Sequence, residues 1–214
     1  MSNKEELQIV WLKRDLRLTD NEAIYKALYY GKRVLLLYLF EDFLLHDKHY
    51  SERHWNFVKQ SIEDLNSNLK NNQSKVLAIN DTIESCMLKL QKHFNITTVY
   101  SHQETGIKKT FDRDLAFLSF CKKNNIQWIE NVNNGVFRGI KNRKTWIEDW
   151  EHFIMKEDYK FLPRPNQLIS IEELETLKKD FNTTDLKCNE SKTIRERRNN
   201  NRIKIFAFVF KGTP

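Results

Sequence analysis

The chain has 214 residues, of which 40% are hydrophobic and 30% are charged, and its formal net charge is +7. This composition excludes a disordered chain, and the longest apolar run, residues 34–40, is far shorter than the roughly 20 residues that a membrane-spanning helix needs. The cysteines Cys86, Cys121 and Cys188 form no C-x-x-C pair, which argues against a disulfide framework or a zinc site. Because no secretion signal opens the sequence, it predicts a cytoplasmic protein that does not bind a membrane.

Most of the positive charge belongs to the last segment of the sequence. Residues 188–214 contain seven basic and two acidic side chains, so the remainder of the chain is nearly balanced. A basic arm that binds nucleic acid and a solvated end without a function both fit this pattern, and we favour the second.

Five short apolar runs with little alternation predict strands that are covered on both faces. These runs are residues 9–12, 34–40, 76–79, 97–100 and 126–129. Helical patterns separate them. The first helix is predicted over 22–30, with Asp20 as its N-cap and Gly31 after its end.

Three further helices follow from apolar residues spaced by three and four. Their stripes are Trp55, Val58, Ile62, Leu65 and Leu69; Ile83, Met87, Leu90 and Phe94; and Phe111, Leu115 and Leu118. Asp81 and Glu84 are predicted to form a capping box for the second of these helices. Alternation of strands and helices predicts an α/β fold, a five-stranded doubly wound parallel sheet of the Rossmann-like kind, over residues 6–132.

Residues 133–187 are predicted to be a linker that contains helices. Trp146, Ile147, Trp150, Phe153 and Ile154 indicate one amphipathic helix, and Ser170 with Glu173 opens another over 171–181. Between them the prolines of 163–165 favour an extended segment. The aromatic face of the first helix needs a cover, either the flank of the sheet domain or a domain outside this chain. We expect part of it to stay uncovered and to promote self-association.

Several common functional motifs are absent from the sequence. It contains no G-x-G-x-x-G, Walker A or G-x-S-x-G pattern, which argues against a dinucleotide oxidoreductase, a P-loop enzyme and a serine hydrolase. His46, His49 and His54 are interpreted as residues of a polar loop rather than as metal ligands, and no metal site is predicted. Cys86 is interpreted as a small core residue.

The segment W-L-K-R-D-L-R-L-T-D-N at 11–21 follows the first strand, at the edge of the sheet where ligands of open α/β sheets bind. Its alternating charges allow two interpretations. Arg14 and Arg17 pair with Asp15 and Asp20 to fix the loop, or the two cations face an anionic group of a ligand. From the residues alone we favour the structural interpretation.

This segment resembles the opening motif of the DNA photolyase/cryptochrome family. Other pieces occur in the family's order: Y-L-F-E at 38–41, S-E-R-H-W-N-F at 51–57, S-H-Q-E-T-G at 101–106, F-D-R-D at 111–114, and G-V-F-R at 135–138 followed by Trp146 and Trp150. The resemblance covers about residues 6–165.

The resemblance implies the N-terminal α/β domain of a two-domain flavoprotein. In that family this domain holds an antenna folate or deazaflavin. A larger helical domain holds FAD, which absorbs blue light and repairs pyrimidine dimers in damaged DNA, or drives signalling in cryptochromes. The resemblance assigns no catalytic residue to this chain. It places a candidate antenna pocket at Leu12, Lys13, Arg14, Phe40, Glu41, Arg53, Gln103 and Glu104.

We expect this chain to be a truncated member that lacks the FAD- and DNA-binding domain and is inactive alone. The alternatives are a stand-alone antenna domain and a partner-binding domain. A shift of one nucleotide in the codons of 204–210 permits K-Y-L-H-S-F-L, which resembles the start of the family's flavin domain. The hypothesis is therefore that a frameshift produced the basic segment 188–214.

Overall fold

The structure is a computed structural model that describes residues 4–140 and 142–181. The strands are β1 (Glu6–Leu12), β2 (Arg33–Leu39), β3 (Leu77–Ile79), β4 (Asn95–His102) and β5 (Gln127–Asn131). The helices are α1 (Glu22–Tyr29), α2 (Asp42–Leu45), α3 (Glu52–Asn68), α4 (Ile83–Leu90), α5 (Lys108–Lys123), α6 (Trp146–Ile154) and α7 (Ile171–Lys178). A single 3-10 turn, Lys70–Asn72, follows α3.

The five strands form one parallel sheet in the order β3-β2-β1-β4-β5. β1 lies at the centre and pairs with β2 and β4, and six of its seven residues are buried. Because parallel neighbours need a crossover, each connection carries a helix across one face of the sheet. The predicted five-stranded doubly wound α/β fold is confirmed.

The hydrophobic core has two layers, one on each face of the sheet. One layer packs α1 and α3 against alternate strand residues such as Val10 and Leu36. The other packs α4, α5 and α7 against the opposite residues, where Trp11 meets Phe117 edge-on at a ring-centroid distance of 5.3 Å. Cys86 is fully buried in this second layer, as predicted.

Two of the three predicted helix caps are wrong by one residue. Asn21, and not Asp20, caps α1, because its side-chain oxygen accepts a hydrogen bond from the backbone N–H of Ile24 at 3.0 Å. Thr82 caps α4 in the same way, so Asp81 and Glu84 do not form a capping box. In both places the acidic residue pairs with a cation instead, Asp20 with Arg17 and Asp81 with Lys89.

The third cap is confirmed. Ser170 and Glu173 form a reciprocal capping box at the start of α7. The helix itself ends at Lys178, before the predicted end at residue 181.

α5 is a helix as predicted, but the predicted apolar stripe faces outward. Phe111, Leu115 and Leu118 are 49%, 50% and 38% exposed. The buried face instead holds Thr110, Asp114, Phe117 and Cys121. The physical reason is that Asp114 finds cationic partners inside the domain, so its burial sets the rotation of the helix.

The first part of the segment after β5 lies at the surface of the domain. α6 has no buried residue, and Trp146 and Trp150 are 43% and 38% exposed. Later the chain returns to the sheet, where Val34 and Leu168 form a bridge. The predicted basic segment 188–214 and its frameshift lie outside the described residues. None of the helices within the described ranges is long and apolar enough to cross a membrane.

Candidate functional site

A pocket with a volume of about 330 Å³ opens at the carboxyl edge of the sheet. Its walls come from the residues that follow β1 and β2, from the first turns of α3, and from Glu104 and Arg113 beyond β4. In parallel sheets the strands end at a common edge, and ligands bind there.

The turn after β1 is fixed by a buried aspartate. Asp15 is 1% exposed, and its carboxylate accepts hydrogen bonds from the backbone N–H of Lys13 at 2.9 Å and from Asn21 Nδ2 at 3.2 Å. Its second oxygen lies 2.5 Å from His102 Nδ1 at the end of β4. Burial raises the pKa of Asp15, but the interaction with His102 and the hydrogen bonds from the backbone together outweigh burial, and the net effect lowers that pKa. The turn is therefore anchored to two strands.

A network of buried charges forms the floor of the pocket. Arg113 Nη1 lies 2.5 Å from Glu41 Oε2, and Arg113 Nη2 lies 2.8 Å from Asp114 Oδ1. Lys13 Nζ contacts the other oxygen of Asp114 at 3.2 Å and lies 4.4 Å from the ring centroid of Trp11. Burial lowers the pKa of Lys13, and the charge of Asp114 only partly opposes this effect.

Glu41 is the most perturbed carboxyl group in the pocket. Its side chain is 3% exposed, and burial raises its pKa to about 7 although Arg113 acts in the opposite direction. Oε2 binds Arg113, whereas Oε1 has no hydrogen-bond partner among the described residues. The indole N–H of Trp55, another residue that lines the pocket, is buried and also has no partner within those ranges. Glu41 and Trp55 therefore carry an acceptor and a donor that the described residues leave without a partner.

The rim of the pocket is cationic and partly exposed. Arg14 is 55% exposed; its Nε lies 3.0 Å from Glu104 Oε1, and its Nη2 donates to the Tyr50 hydroxyl at 3.1 Å. Arg138 holds the same segment from behind by donating to the backbone carbonyl of Glu104. Arg17 also lines the pocket, and its Nε donates to the Asp20 carbonyl at 2.9 Å.

These contacts support the structural interpretation of the loop charges for Arg17 but not for Arg14. Arg17 pairs with Asp20, as the structural interpretation predicts. Arg14 does not pair with Asp15, because His102 occupies that carboxylate and Arg14 turns to Glu104. Of the two arginines, Arg14 is thus the one placed at the mouth of the pocket beside exposed aromatic rings.

The structure brings together five of the eight predicted site residues on the pocket wall. They are Leu12, Lys13, Arg14, Glu41 and Glu104. Phe40 lies behind the wall, fully buried, with its ring 4.9 Å from that of Tyr38. Arg53 is exposed on α3 and Gln103 is half-buried beside β5, and neither lines the pocket.

Several residues of the pocket were not predicted from the sequence. Tyr38, Tyr50, Trp55 and Arg113 line the pocket, and Asp114 pairs with the cations beneath it. A signal for the last two was present, since Arg113 and Asp114 belong to the F-D-R-D segment and Asp114 is spaced as Phe117 and Cys121 are on α5. A charged residue at a core-spaced position indicates a buried partner.

The geometry defines a class of protein first: a doubly wound α/β domain with a ligand-sized, partly aromatic pocket at the carboxyl edge of its sheet. The sequence model described as DNA photolyase matches residues 8–139. The chain belongs to the DNA photolyase family, and the matched region is the family's N-terminal α/β domain.

Relatives with known names agree with this membership. The chain is similar to the chloroplastic/mitochondrial cryptochrome DASH of Arabidopsis thaliana, with 30% identity over 103 residues, 45% of this chain and 18% of that protein. It is also similar to cryptochrome DASH of Synechocystis sp., with 29% identity over 106 residues, 45% of this chain and 21% of that protein. The matched region thus spans about a fifth of the length of these relatives.

Solved structures show the same fold. The Synechocystis cryptochrome superposes with a TM-score of 0.62 at 19% identity, covering 87% of this chain and 42% of that one. An archaeal photolyase from Sulfolobus tokodaii, described with two FAD molecules and a novel light-harvesting cofactor, gives 0.63 at 17% identity over 83% and 42%. The family consists of flavoproteins and acts on DNA.

Proposed function

We propose that this chain is the antenna-binding α/β module of a photolyase/cryptochrome-type flavoprotein. The pocket binds a flat light-absorbing heterocycle of the folate or deazaflavin class. In a complete protein of this kind, FAD bound to a helical domain performs the light-driven repair of pyrimidine dimers, with damaged DNA as the partner. No catalytic step is assigned to the described residues of this chain.

The observation that supports this proposal is that two residues lining the pocket carry buried polar atoms without a hydrogen-bond partner. A buried carboxylate oxygen without a partner costs free energy, on the order of 1–3 kcal/mol, unless a ligand donates to it. Glu41 Oε1 is such an acceptor, and Trp55 Nε1 is an unused donor on the same pocket. A heterocycle that carries N–H and C=O groups offers the donor that Glu41 lacks and the acceptor that Trp55 lacks.

The remaining walls fit the faces of such a ring. Leu12, Tyr38 and Trp55 supply apolar and aromatic surface, and the volume of about 330 Å³ lies at the lower end of the range of small-molecule sites, about 300–1,000 Å³. The residues present therefore fit an antenna chromophore: they hold its ring between aromatic side chains and bind its polar edge. The chromophore, when bound, would supply light absorption.

The rim supports an anionic substituent on the ligand. Arg14 lines the mouth of the pocket, and its guanidinium group can bind two carboxylate or phosphate oxygens at once, whereas Arg17 lines the pocket but is paired with Asp20. This arrangement agrees with the interpretation that a cation of the loop faces an anionic group of a ligand, and Arg14 is the cation in question.

The proposal is tested by titrating the purified 214-residue chain with 5,10-methenyltetrahydrofolate, 8-hydroxy-5-deazariboflavin and FMN. We expect one of them to quench tryptophan fluorescence and to bind with a Kd in the micromolar range. Trp55→Phe keeps the ring and removes the donor, so the Kd should rise about 5- to 15-fold, the effect of one hydrogen bond of about 1–1.5 kcal/mol.

Trp146→Phe is the matched control, because Trp146 lies on α6 and not on the pocket. It should leave the Kd unchanged. Failure of all three chromophores to bind, or equal effects of the two tryptophan variants, would contradict the proposal.

A second candidate function is partner binding through α6. Trp146, Ile147 and Trp150 are 43%, 61% and 38% exposed on this helix. Such a face favours association with another protein surface, and we propose a second copy of this chain as the occupant. The sedimentation experiment in the Discussion tests it.

A further inference from the structure

The outward face of α1 carries a row of tyrosines that is open to solvent. Tyr25, Tyr29 and Tyr30 are 38%, 63% and 68% exposed. Their neighbouring ring centroids lie 6.3 Å apart for Tyr25 and Tyr29 and 5.2 Å apart for Tyr29 and Tyr30. Tyr159, from the segment after α6, extends the row, with its ring centroid 5.2 Å from that of Tyr25.

The core does not require these tyrosines. α1 packs on the sheet through the opposite face, where Ala23, Ile24, Ala27 and Leu28 are buried. Aromatic side chains placed together in solvent are unusual on a surface that contacts nothing, and contiguous patches of this kind mark interaction sites.

One cation lies beside the row, and a second one follows Tyr159 in the sequence. Lys160 follows Tyr159, and the Arg164 guanidinium lies over Gly31, which follows Tyr30; a Cβ added to Gly31 would collide with Arg164 Nη1. Gly31 also has a φ of +70°. The turn that brings Arg164 next to the tyrosines therefore favours glycine both for its backbone conformation and for the space that Arg164 occupies.

The charge of these two cations is not neutralised by the domain itself. Within the described ranges neither Lys160 nor Arg164 forms an ion pair with a carboxylate. Two other cations near the row differ, because Lys26 on α1 pairs with Glu22, and Lys32, which follows Gly31, pairs with Glu6. Asp158 and Glu157 line a cavity beside α6 and do not pair with them.

We propose that this tyrosine surface, formed by Tyr25, Tyr29, Tyr30 and Tyr159 with Lys160 and Arg164, binds single-stranded nucleic acid. Bases stack on the rings of Tyr29 and Tyr30, and backbone phosphates pair with the two cations. Open aromatic rings beside unneutralised cations are the combination that single-strand binding uses, because every base offers a π-face and every nucleotide a negative charge. The site is separate from the pocket and does not depend on its ligand.

The test is fluorescence anisotropy of a labelled 12-mer of deoxythymidine titrated with the full chain at about 50 and 200 mM salt. Base stacking on an aromatic ring contributes about 1–3 kcal/mol, so the double variant Tyr29→Ala/Tyr30→Ala should weaken binding at least tenfold. The variant Tyr29→Phe/Tyr30→Phe keeps both rings and should bind as the unchanged chain does.

Arg164→Gln should weaken binding several-fold and lower the slope of log K against log salt by about 0.7, the loss of one phosphate contact. Phe111→Ala is the control, since Phe111 is 49% exposed on α5, on the opposite face of the sheet. The basic segment 188–214 is present in every variant, so it cannot cause a difference between variants. Equal urea midpoints confirm that the variants are folded.

Three results would overturn the proposal. One is the absence of binding by the unchanged chain, and another is an alanine double variant that weakens binding no more than Phe111→Ala does. The third is a dimer of the unchanged chain that the alanine double variant dissociates, which would make this surface an interface between copies or with another protein.

Discussion

The floor of the pocket buries charged residues, whereas helix α6 exposes aromatic residues. Beneath the pocket, Lys13, Arg113 and Asp114 are almost completely buried, and each charge has a partner. α6 carries two tryptophans in nine residues and buries none of its side chains. In one region polar groups are held inside by mutual pairing, and in the other apolar groups remain outside without a cover. A rule that places charges outside and apolar side chains inside fails in both regions, although the sequence predicted that part of the α6 face stays uncovered.

Removing one partner of the buried ion pairs in the floor of the pocket should produce the largest effect on stability. Arg113→Ala leaves Glu41 and Asp114 buried with less compensation, and the loss of one partner of a buried ion pair costs about 3–5 kcal/mol. We expect the free energy of unfolding, measured by urea denaturation, to fall by about that amount.

Lys108→Ala is the matched control, because it breaks an ion pair with Asp112 in which the lysine is 84% exposed. It should change stability by less than about 1 kcal/mol. If both variants lose the same small amount, the buried network does not stabilise the floor.

The contrast also explains what the sequence could and could not predict. β1 and β2 were found because uninterrupted apolar runs are typical of strands covered on both faces. The face of α5 was misplaced because Asp114 is stabilised by Lys13, about a hundred residues away in the chain, and no local pattern reports such a partner. Trp55 was predicted as a core residue of α3. The sequence did not show that it also lines the pocket, because the pocket forms only where the loops after β1 and β2 meet this helix.

Ionisation of Glu41 should make the stability of the domain depend on pH. Its pKa is raised to about 7 in the folded state by burial, whereas an unfolded glutamate titrates near 4.3. The folded state therefore binds more protons between these values, and stability should fall as pH rises from about 4 to 7, by about 3–4 kcal/mol in all.

Glu41→Gln cannot ionise, so this part of the pH dependence should disappear. The measurement is the difference in unfolding free energy between pH 5 and pH 8 for the variant and the unchanged chain. Glu175→Gln serves as the control, because Glu175 is exposed and its pKa is lowered by its hydrogen bond with Lys75. A pH dependence that is identical in the unchanged chain and in Glu41→Gln would show that Glu41 ionises normally.

The smallest effect on stability is expected for substitutions on α6. Replacing Trp146 and Trp150 by serine removes rings that are 43% and 38% exposed from a helix with no buried residue. The unfolding free energy should change by less than about 1 kcal/mol, because surface substitutions rarely exceed a few tenths each. Association should change far more, since the exposed face of α6 is the surface proposed to bind a second copy.

Sedimentation velocity over a hundredfold range of concentration distinguishes the two effects. We expect the unchanged chain to show a concentration-dependent dimer and the double serine variant to remain monomeric. Leu115→Ser/Leu118→Ser on α5 is the comparison, since these side chains are 50% and 38% exposed on a different helix. A dimer lost only in the α5 variant would move the interface to that face, and a monomer at every concentration would mean that exposure of the α6 tryptophans does not cause self-association.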